Sequence, residues 1–100
     1  MDSSELEKGL ARPQTGQVAV LYFARLREAL GLDAEGLVLP ADVKTAGALR
    51  DLLRARGGAW ETELAAAKPV RIAVNQSMAN LNTPIAAGDE IAFFPPVTGG

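Results

Sequence analysis

The chain has 100 residues, 48% of them hydrophobic, which is enough for one small globular domain. Ten Lys and Arg residues against twelve Asp and Glu residues give a net charge of -2, which argues against nucleic acid as the main ligand. The chain contains neither Cys nor His, which excludes thiol nucleophiles, disulfides, Cys/His metal sites and the commonest general base.

The amino-terminal segment, residues 1–16, is polar and of mixed charge, and we expect a flexible leader whose end is marked by Pro13 and Gly16. This segment lacks the basic and apolar regions of a signal peptide. The apolar stretches of the chain are far shorter than the roughly 18 residues of a membrane span. The sequence therefore predicts a cytoplasmic protein without a membrane partner.

From Gln17 onward the chain alternates between strand and helix patterns. QVAVLYF predicts a first strand, ARLREALG a short helix with Gly31 at its C-cap, and EGLVLP a second strand stopped by Pro40. KTAGALRDLLRARGG predicts the main helix with Thr45 as its N-cap, and WETELAAAK predicts a further helical turn. VRIAVN, a short segment near Met78, and EIAFF predict three more strands.

This order of elements predicts an α+β fold in which a mixed sheet of four to five strands packs on one main helix. We expect the folded domain to span residues 17–94 and an extended tail to occupy residues 95–100. On the main helix, Arg50, Asp51, Arg54 and Arg56 fall on the side opposite to the apolar stripe, where we expect solvent. The predicted core consists of Val20, Tyr22, Val38, Leu49, Leu52, Leu53, Ile72, Val74, Ile91 and Phe93.

The first and last predicted strands are apolar on both faces. On the last strand, for example, Ala92 and Phe94 share the face opposite to the predicted core. Since one main helix covers only one face of a sheet, the second face is either covered by loops and the short helix or available to a partner. On the second interpretation, Phe23, Met78 and Phe94 are exposed in the isolated chain and contact that partner.

The sequence closes with FFPPVTGG, an unusual ending for a core strand. Pro95 and Pro96 favour extended backbone, and the four residues after them reach roughly 13 Å further at ~3.3 Å each. The glycines have no side chain that would block a narrow channel. A stiff stalk with a thin tip is suited to placing the Gly100 carboxylate in the active site of another protein.

A carboxylate must be activated before it reacts, typically as an acyl-adenylate made with ATP. The chain has no Gly-rich phosphate loop, so we expect a separate enzyme to use the ATP. Because the chain has no Cys, any sulfur that it carries would sit on the activated carbonyl of Gly100.

The stretches LYFARLREALG, AVNQSMANLNTPIAAGDEIAFF and FFPPVTGG resemble the small subunit of molybdopterin synthase, a ubiquitin-like β-grasp sulfur carrier. The resemblance covers about residues 18–100, and the FFPPVTGG ending is its most specific part. It implies a ubiquitin-like β-grasp fold for this chain. It also implies that a ubiquitin-activating-type enzyme adenylates Gly100 and that a sulfur donor protein converts the adenylate to a thiocarboxylate.

The resemblance further implies a heterotetramer in which the tail, formed by Pro95, Pro96, Val97, Thr98 and Gly99, enters a channel of the large synthase subunit. There the sulfur passes to cyclic pyranopterin monophosphate in two rounds and builds the dithiolene of the molybdenum cofactor. The resemblance also implies that the catalytic acids and bases lie on the large subunit, so we expect this chain to be the sulfur-donor subunit of an enzyme and to bind no cofactor or metal itself. Arg27 is a candidate for a charged contact with the activating enzyme.

Two other classes of function remain open. A thiamine-type sulfur carrier would differ in the activating enzyme that it binds, and a ubiquitin-like modifier would form isopeptides with lysines. A structural interaction module is a third interpretation, and it would keep its function after loss of Gly100.

Overall fold

The structure is a computed structural model that describes residues 15–96. Residues 1–14 and 97–100, which include most of the predicted leader and the end of the predicted tail, lie outside the described residues. The described part contains five strands and three helices. They are β1 (Gln17–Tyr22), α1 (Ala24–Leu30), β2 (Ala34–Val38), α2 (Ala46–Arg54), α3 (Ala59–Glu63), β3 (Arg71–Val74), β4 (Ser77–Ala79) and β5 (Glu90–Phe94).

The five strands form one mixed sheet in the order β2-β1-β5-β3-β4. β1 and β5 are parallel neighbours, with Tyr22 opposite Phe93, and the other pairs are antiparallel. The first and last strands of the described chain therefore lie at the centre of the sheet. The predicted α+β architecture and the predicted order of elements are both confirmed.

Local signals in the sequence set the helix ends. The Thr45 hydroxyl accepts a hydrogen bond from the amide of Ala48 at 3.1 Å, which caps α2 as predicted. Gly31 has a φ of 70° and ends α1 in the left-handed conformation that glycine adopts at low cost. α2 ends at Arg54, before Gly57 and Gly58, and these two glycines form the turn into α3.

The core lies between the sheet and the helices. Leu49 and Leu53 of α2 are fully buried against the inward residues of β1, β3 and β5, and Leu26 of α1 joins the same cluster. Trp60 of α3 packs against its edge, as expected. The buried cluster comprises Val18, Val20, Tyr22, Leu26, Val43, Ala46, Leu49, Leu53, Leu64, Ile72, Ile85, Ile91 and Phe93.

The prediction that Val38 belongs to the core is wrong, since this side chain is 65% exposed. Val38 pairs with Gln17 and its neighbour Leu37 pairs with Val18, so the pleat turns Leu37 inward and Val38 outward. Leu52 and Val74 are only half-buried at the rim of the core.

Arg50 was expected to face solvent, and this prediction is also wrong, because the residue is only 7% exposed. Its guanidinium donates to the carbonyl oxygens of Leu64 at 2.8 Å, Ala65 at 2.6 Å and Lys68 at 3.1 Å. These carbonyls follow α3 and have no strand partner. Ala65 and Lys68 also accept from the backbone amides of Lys68 and Val70, so Arg50 adds a second donor to these two and pairs the Leu64 carbonyl.

The loop before β5 packs closely against the start of α2. The amides of Ala46 and Gly47 donate to the carbonyl oxygens of Thr83 and Leu81 at 2.9 Å and 2.8 Å, so loop backbone satisfies two of the amides that a helix leaves unpaired at its N-terminus. A Cβ atom on Gly47 would lie 2.8 Å from the Leu81 carbonyl oxygen, which is too close for any other residue.

Within residues 15–96, none of the helices has the length and apolar character needed to cross a bilayer.

Candidate functional site: the outer sheet face and the root of the tail

The face of the sheet that points away from the helices carries a continuous apolar row. The register places one residue of each strand in this row, in the order Ala34, Leu21, Ala92, Ala73 and Met78. Phe23 extends the alternation of β1 onto the same face, and Phe94 does so on β5. We call these seven residues the outer face.

The exposure expected for two of the three predicted contact residues is found. Phe23 is 45% exposed and Met78 is 61% exposed. Phe94 departs from the prediction, because it is only half-buried and not fully exposed. The reason is its position: Phe94 lies on the central strand β5 between two neighbours, whereas Met78 lies on the edge strand β4 and Phe23 follows the end of β1. Their role as partner contacts stays a prediction.

Small residues give the outer face its shape. Ala92 and Ala73 are neighbours in the row and form a flat floor between Leu21 and Met78, and Ala34 ends the row on the edge strand β2. A flat apolar floor bordered by Phe23, Phe94 and Met78 is typical of a surface that a partner covers, with the large side chains as anchors.

The tail leaves the sheet at the end of β5, directly beside the outer face. Pro95 and Pro96 are half-buried and line a groove of about 310 Å³ with Leu26, Val70 and the Arg25–Glu63 ion pair. Arg71 pairs with Phe94 across β3 and β5, so a cation also lies at this end. The predicted reactive residue Gly100, with Val97, Thr98 and Gly99, lies outside the described residues.

Arg27 is exposed on α1, one turn after Phe23. Its predicted contact with an activating enzyme stays a prediction. Among residues 15–96, no three His, Cys, Asp or Glu side chains lie together so that they could hold a metal ion. The outer face itself is apolar, so it can bind a partner but supplies no nucleophile or general base.

Sequence reasoning missed a polar cluster under the same end of the sheet. The Tyr22 hydroxyl donates to Glu35 at 2.7 Å, and Arg56 donates to the two oxygens of that carboxylate at 2.8 and 2.9 Å. The Arg56 guanidinium lies 4.4 Å from the centre of the Trp60 ring, and Trp60 meets Tyr22 edge-on at 5.3 Å. These four side chains form a closed ring, which we call the Glu35 ring.

The Glu35 ring shifts the titration of two of its members. Burial alone would raise the pKa of Glu35, but the hydrogen bonds from Arg56 and Tyr22 outweigh it and hold this pKa below its usual value. Burial, with the adjacent Glu35 carboxylate, raises the pKa of Tyr22 far above its ordinary value. The alternation of faces along β2 is the sequence feature that could have indicated this cluster. Glu35 pairs with Val20 and therefore faces inward, as Leu37 does.

A mixed sheet wrapped around one main helix, with its first and last strands parallel at the centre, defines the ubiquitin-like β-grasp class. SAMP1, the small archaeal modifier protein 1 of Haloferax volcanii, has a similar structure, with a TM-score of 0.70 and 31% identity over 85% of this chain and 100% of that chain. The family model named ThiS matches residues 20–100, and the chain belongs to this family.

Two further relatives carry the likeness to molybdenum cofactor proteins. The molybdopterin synthase sulfur carrier subunit of Haemophilus influenzae is 46% identical over 81 residues, which cover 81% of this chain and 96% of the relative. A solved complex of subunits 1 and 2 of the molybdopterin-converting factor from Helicobacter pylori matches with a TM-score of 0.56 and 27% identity. The match covers 84% of this chain and 99% of that chain.

Proposed function

We propose that this chain is the sulfur-carrier subunit of a molybdopterin synthase and that Gly100 carries the sulfur as a thiocarboxylate. The observation on which this rests most is the exit of β5 beside the outer face, since the strand that ends at Phe94 leads directly into PPVTGG. A docked partner would therefore receive the tail at a fixed point. Near-complete coverage of a relative that is itself a sulfur carrier subunit supports the same function.

The proposed chemistry begins with activation by a separate ubiquitin-activating-type enzyme. A Gly100 carboxylate oxygen attacks the α-phosphorus of ATP, pyrophosphate leaves, and an acyl-adenylate forms. A sulfur donor protein then supplies sulfur, formally as hydrosulfide, which attacks the carbonyl carbon and displaces AMP. The product is Gly–C(=O)–S⁻, and this chain itself binds neither ATP nor a metal in these steps.

The loaded chain would then dock on the large subunit through the outer face, with the tail in a channel of that subunit. Sulfur passes to cyclic pyranopterin monophosphate, and two such rounds build the dithiolene that later holds molybdenum. Acid and base groups of the large subunit serve this transfer, so the chain is a sulfur donor without a complete active site. We propose a heterotetramer and a cytoplasmic location for this assembly.

The tail is tested by the intact mass of the chain after incubation with ATP, an activating enzyme and a sulfur source. Exchange of oxygen for sulfur adds roughly 16 mass units to the wild type. We expect no gain for a chain without Gly100, because its carboxylate is displaced by ~3.3 Å and even a 1 Å error can cost about a hundredfold. A chain with one residue added after Gly100 should also gain nothing, since its old carboxylate is an amide.

Gly99→Val keeps the terminal carboxylate but places a β-branched side chain beside it, where the extended tail must also enter the activating enzyme, so we expect slow loading by a chain that folds normally. Circular dichroism of all three variants is the control for folding. Normal thiocarboxylate formation by the chain without Gly100 would refute the carrier function and favour an interaction module.

The outer face is tested with Phe94→Ala and the matched control Leu81→Ala. Both residues are large and apolar, but Leu81 is 51% exposed on the loop before β5 and lies outside the outer face. We expect Phe94→Ala to weaken binding of the large subunit by more than about 1 kcal/mol, as for an interface anchor. Titration calorimetry measures the affinity of each variant for the large subunit. Equal losses of affinity in the two variants would mean that the outer face is not the docking surface.

A ubiquitin-like modifier is the second candidate, favoured by the structural match to SAMP1, whose own name describes a modifier. It predicts conjugates of this chain with lysines of other proteins, visible as a ladder in extracts. A thiamine-type carrier, the remaining alternative, would be loaded by a different activating enzyme. Loading assays with each purified enzyme distinguish the two carrier functions.

A further inference from the structure

The Glu35 ring is connected to the strand from which the tail leaves. The Tyr22 ring stacks on Phe93 with centroids 6.2 Å apart and planes 14° from parallel. The two residues are also register partners of the parallel β1–β5 pair. Phe93 is fully buried and directly precedes Phe94 and Pro95. Through Tyr22, the ring therefore contacts the residue that directly precedes Phe94 and the root of the tail.

The ring contacts β5 through Tyr22, at the tail end of this strand pair. At the tail end, the amide of Phe23 donates to the Phe93 carbonyl oxygen at 3.2 Å, next to the ring. At the other end, the amide of Ala19 donates to the Asp89 carbonyl oxygen at 2.9 Å, three residues before Tyr22 on β1. The two amides thus report on the same pair of strands, one beside the Tyr22–Phe93 stack and one three to four residues away from it.

The ring draws its side chains from four places: β1, β2, the turn after α2, and α3. The two other ion pairs among residues 15–96 do not reach the sheet, since Arg25–Glu63 joins two helices and Arg54–Asp51 lies within α2. The Arg25 side chain is also 63% exposed, so its ion pair contributes little to the stability of the fold. The Glu35 carboxylate, with its forked Arg56 contact, is the polar link between the helices and the tail end of the sheet.

We propose that the Glu35 ring is a positioning device for the reactive tail. It holds Tyr22 against Phe93, fixes the end of β5, and so narrows the directions in which the tail can leave. Tyr22, Glu35 and Arg56 are positioning residues, because they act through Phe93 and do not touch the reacting carboxylate. The role of the tail in this inference rests on the proposed function, whereas the geometry of the ring is independent of that function.

The first test separates local order from global stability. Amide hydrogen exchange is measured by NMR for Phe23 and Ala19 in the wild type, in Glu35→Gln and in the control Asp51→Asn, which removes an exposed ion pair of α2. We expect Glu35→Gln to speed exchange at Phe23 about fivefold relative to Ala19, as for loss of a charged hydrogen bond in a local opening. An unchanged ratio of the two rates would mean that the ring supports only the whole fold.

The second test uses sulfur loading of the folded variants. In Glu35→Gln, a loosened tail root should place the Gly100 carboxylate less accurately, so we expect kcat for loading to fall about fivefold. KM should stay within about twofold of the wild type, because the docking surfaces are unchanged. Tyr22→Phe keeps the stack on Phe93 and loses only the hydroxyl, so its kcat should fall less. This milder variant keeps the test valid if Glu35→Gln fails to fold.

Normal kcat in both variants, despite faster exchange at Phe23, would overturn the positioning function. If the wild type gains no sulfur with any activating enzyme, the proposed function fails instead. The exchange ratio then still decides whether the ring orders the end of β5, so the two failures are distinguishable.

Discussion

Leu53 and Val38 are apolar residues in opposite environments. Leu53 lies on the buried stripe of α2 and has no exposed surface, whereas Val38 ends β2 on the side away from the helices. Removal of a buried side chain loses its transfer free energy and leaves a cavity, and removal of an exposed one does neither.

We therefore expect Leu53→Ala to lower the free energy of unfolding by about 2–5 kcal/mol. Val38→Ala should change it by less than about 0.5 kcal/mol, as for most surface substitutions. Urea denaturation of both variants provides the measurement. A loss for Val38→Ala as large as that for Leu53→Ala would mean that β2 pairs one residue out of register.

At the scale of the elements, predictions from local signals succeeded and those that required strand register or distant contacts failed. The caps at Thr45 and Gly31 depend on neighbouring residues, so the sequence alone predicts both helix ends. The side of the sheet that Val38 faces depends on how β2 pairs with β1. Likewise, Arg50 is buried by carbonyls from a loop that α2 meets only in the folded chain.

The candidate site divides in the same way. The sequence alone predicts the two-sided apolar pattern of the first and last strands, which marks Phe23, because alternation along a strand is local. The Glu35 ring joins residues from four places along the chain, and no spacing in the sequence brings Glu35 and Arg56 together. The reduced exposure of Phe94 follows from the central place of β5, which the sequence alone does not fix.

The contact between α2 and the loop before β5 makes its own prediction. In an exposed helix, Gly→Ala is stabilising by roughly 1 kcal/mol. At Gly47 the added methyl group meets the Leu81 carbonyl oxygen at 2.8 Å, so we expect Gly47→Ala to destabilise the protein by about 1–3 kcal/mol. Thermal unfolding gives the sign directly, and a raised melting temperature would show that the loop moves away freely.

The whole molecule has no His, so no imidazole titrates between neutral and mildly acid pH. Folding shifts the pKa of Glu35 and of Tyr22, so each of these two groups makes the stability depend on pH. Glu35 has a lowered pKa when folded, so its contribution is complete above the ordinary value of about 4.3 and is lost as pH falls through the folded value. Tyr22 has a raised pKa, so its contribution is complete below the ordinary value of about 10 and is lost at higher pH.

On the acid side, we expect the difference in unfolding free energy between wild type and Glu35→Gln to be constant above about pH 5 and to shrink below the ordinary carboxyl value. Urea denaturation at a series of pH values measures this difference, with Asp51→Asn as the control for an exposed carboxylate. A difference that grows toward low pH would contradict the lowered pKa.

On the alkaline side, the single tyrosine of the chain gives a direct reading. Tyrosinate absorbance reports Tyr22 alone, and we expect it to appear together with unfolding and not near the ordinary pKa of about 10. Circular dichroism recorded in the same titration follows the unfolding. Ionisation of Tyr22 at about pH 10 in a chain that stays folded would mean that the hydroxyl is open to water.

The central place of β5 has a mechanical consequence. A partner that draws the tail into a channel pulls on a strand that is hydrogen-bonded to β1 on one side and to β3 on the other. Because ladder hydrogen bonds run roughly across the strands, tension along β5 loads them together in shear, whereas an edge strand would peel away one bond at a time. A partner can therefore pull on the tail without unfolding the domain to which the tail is attached.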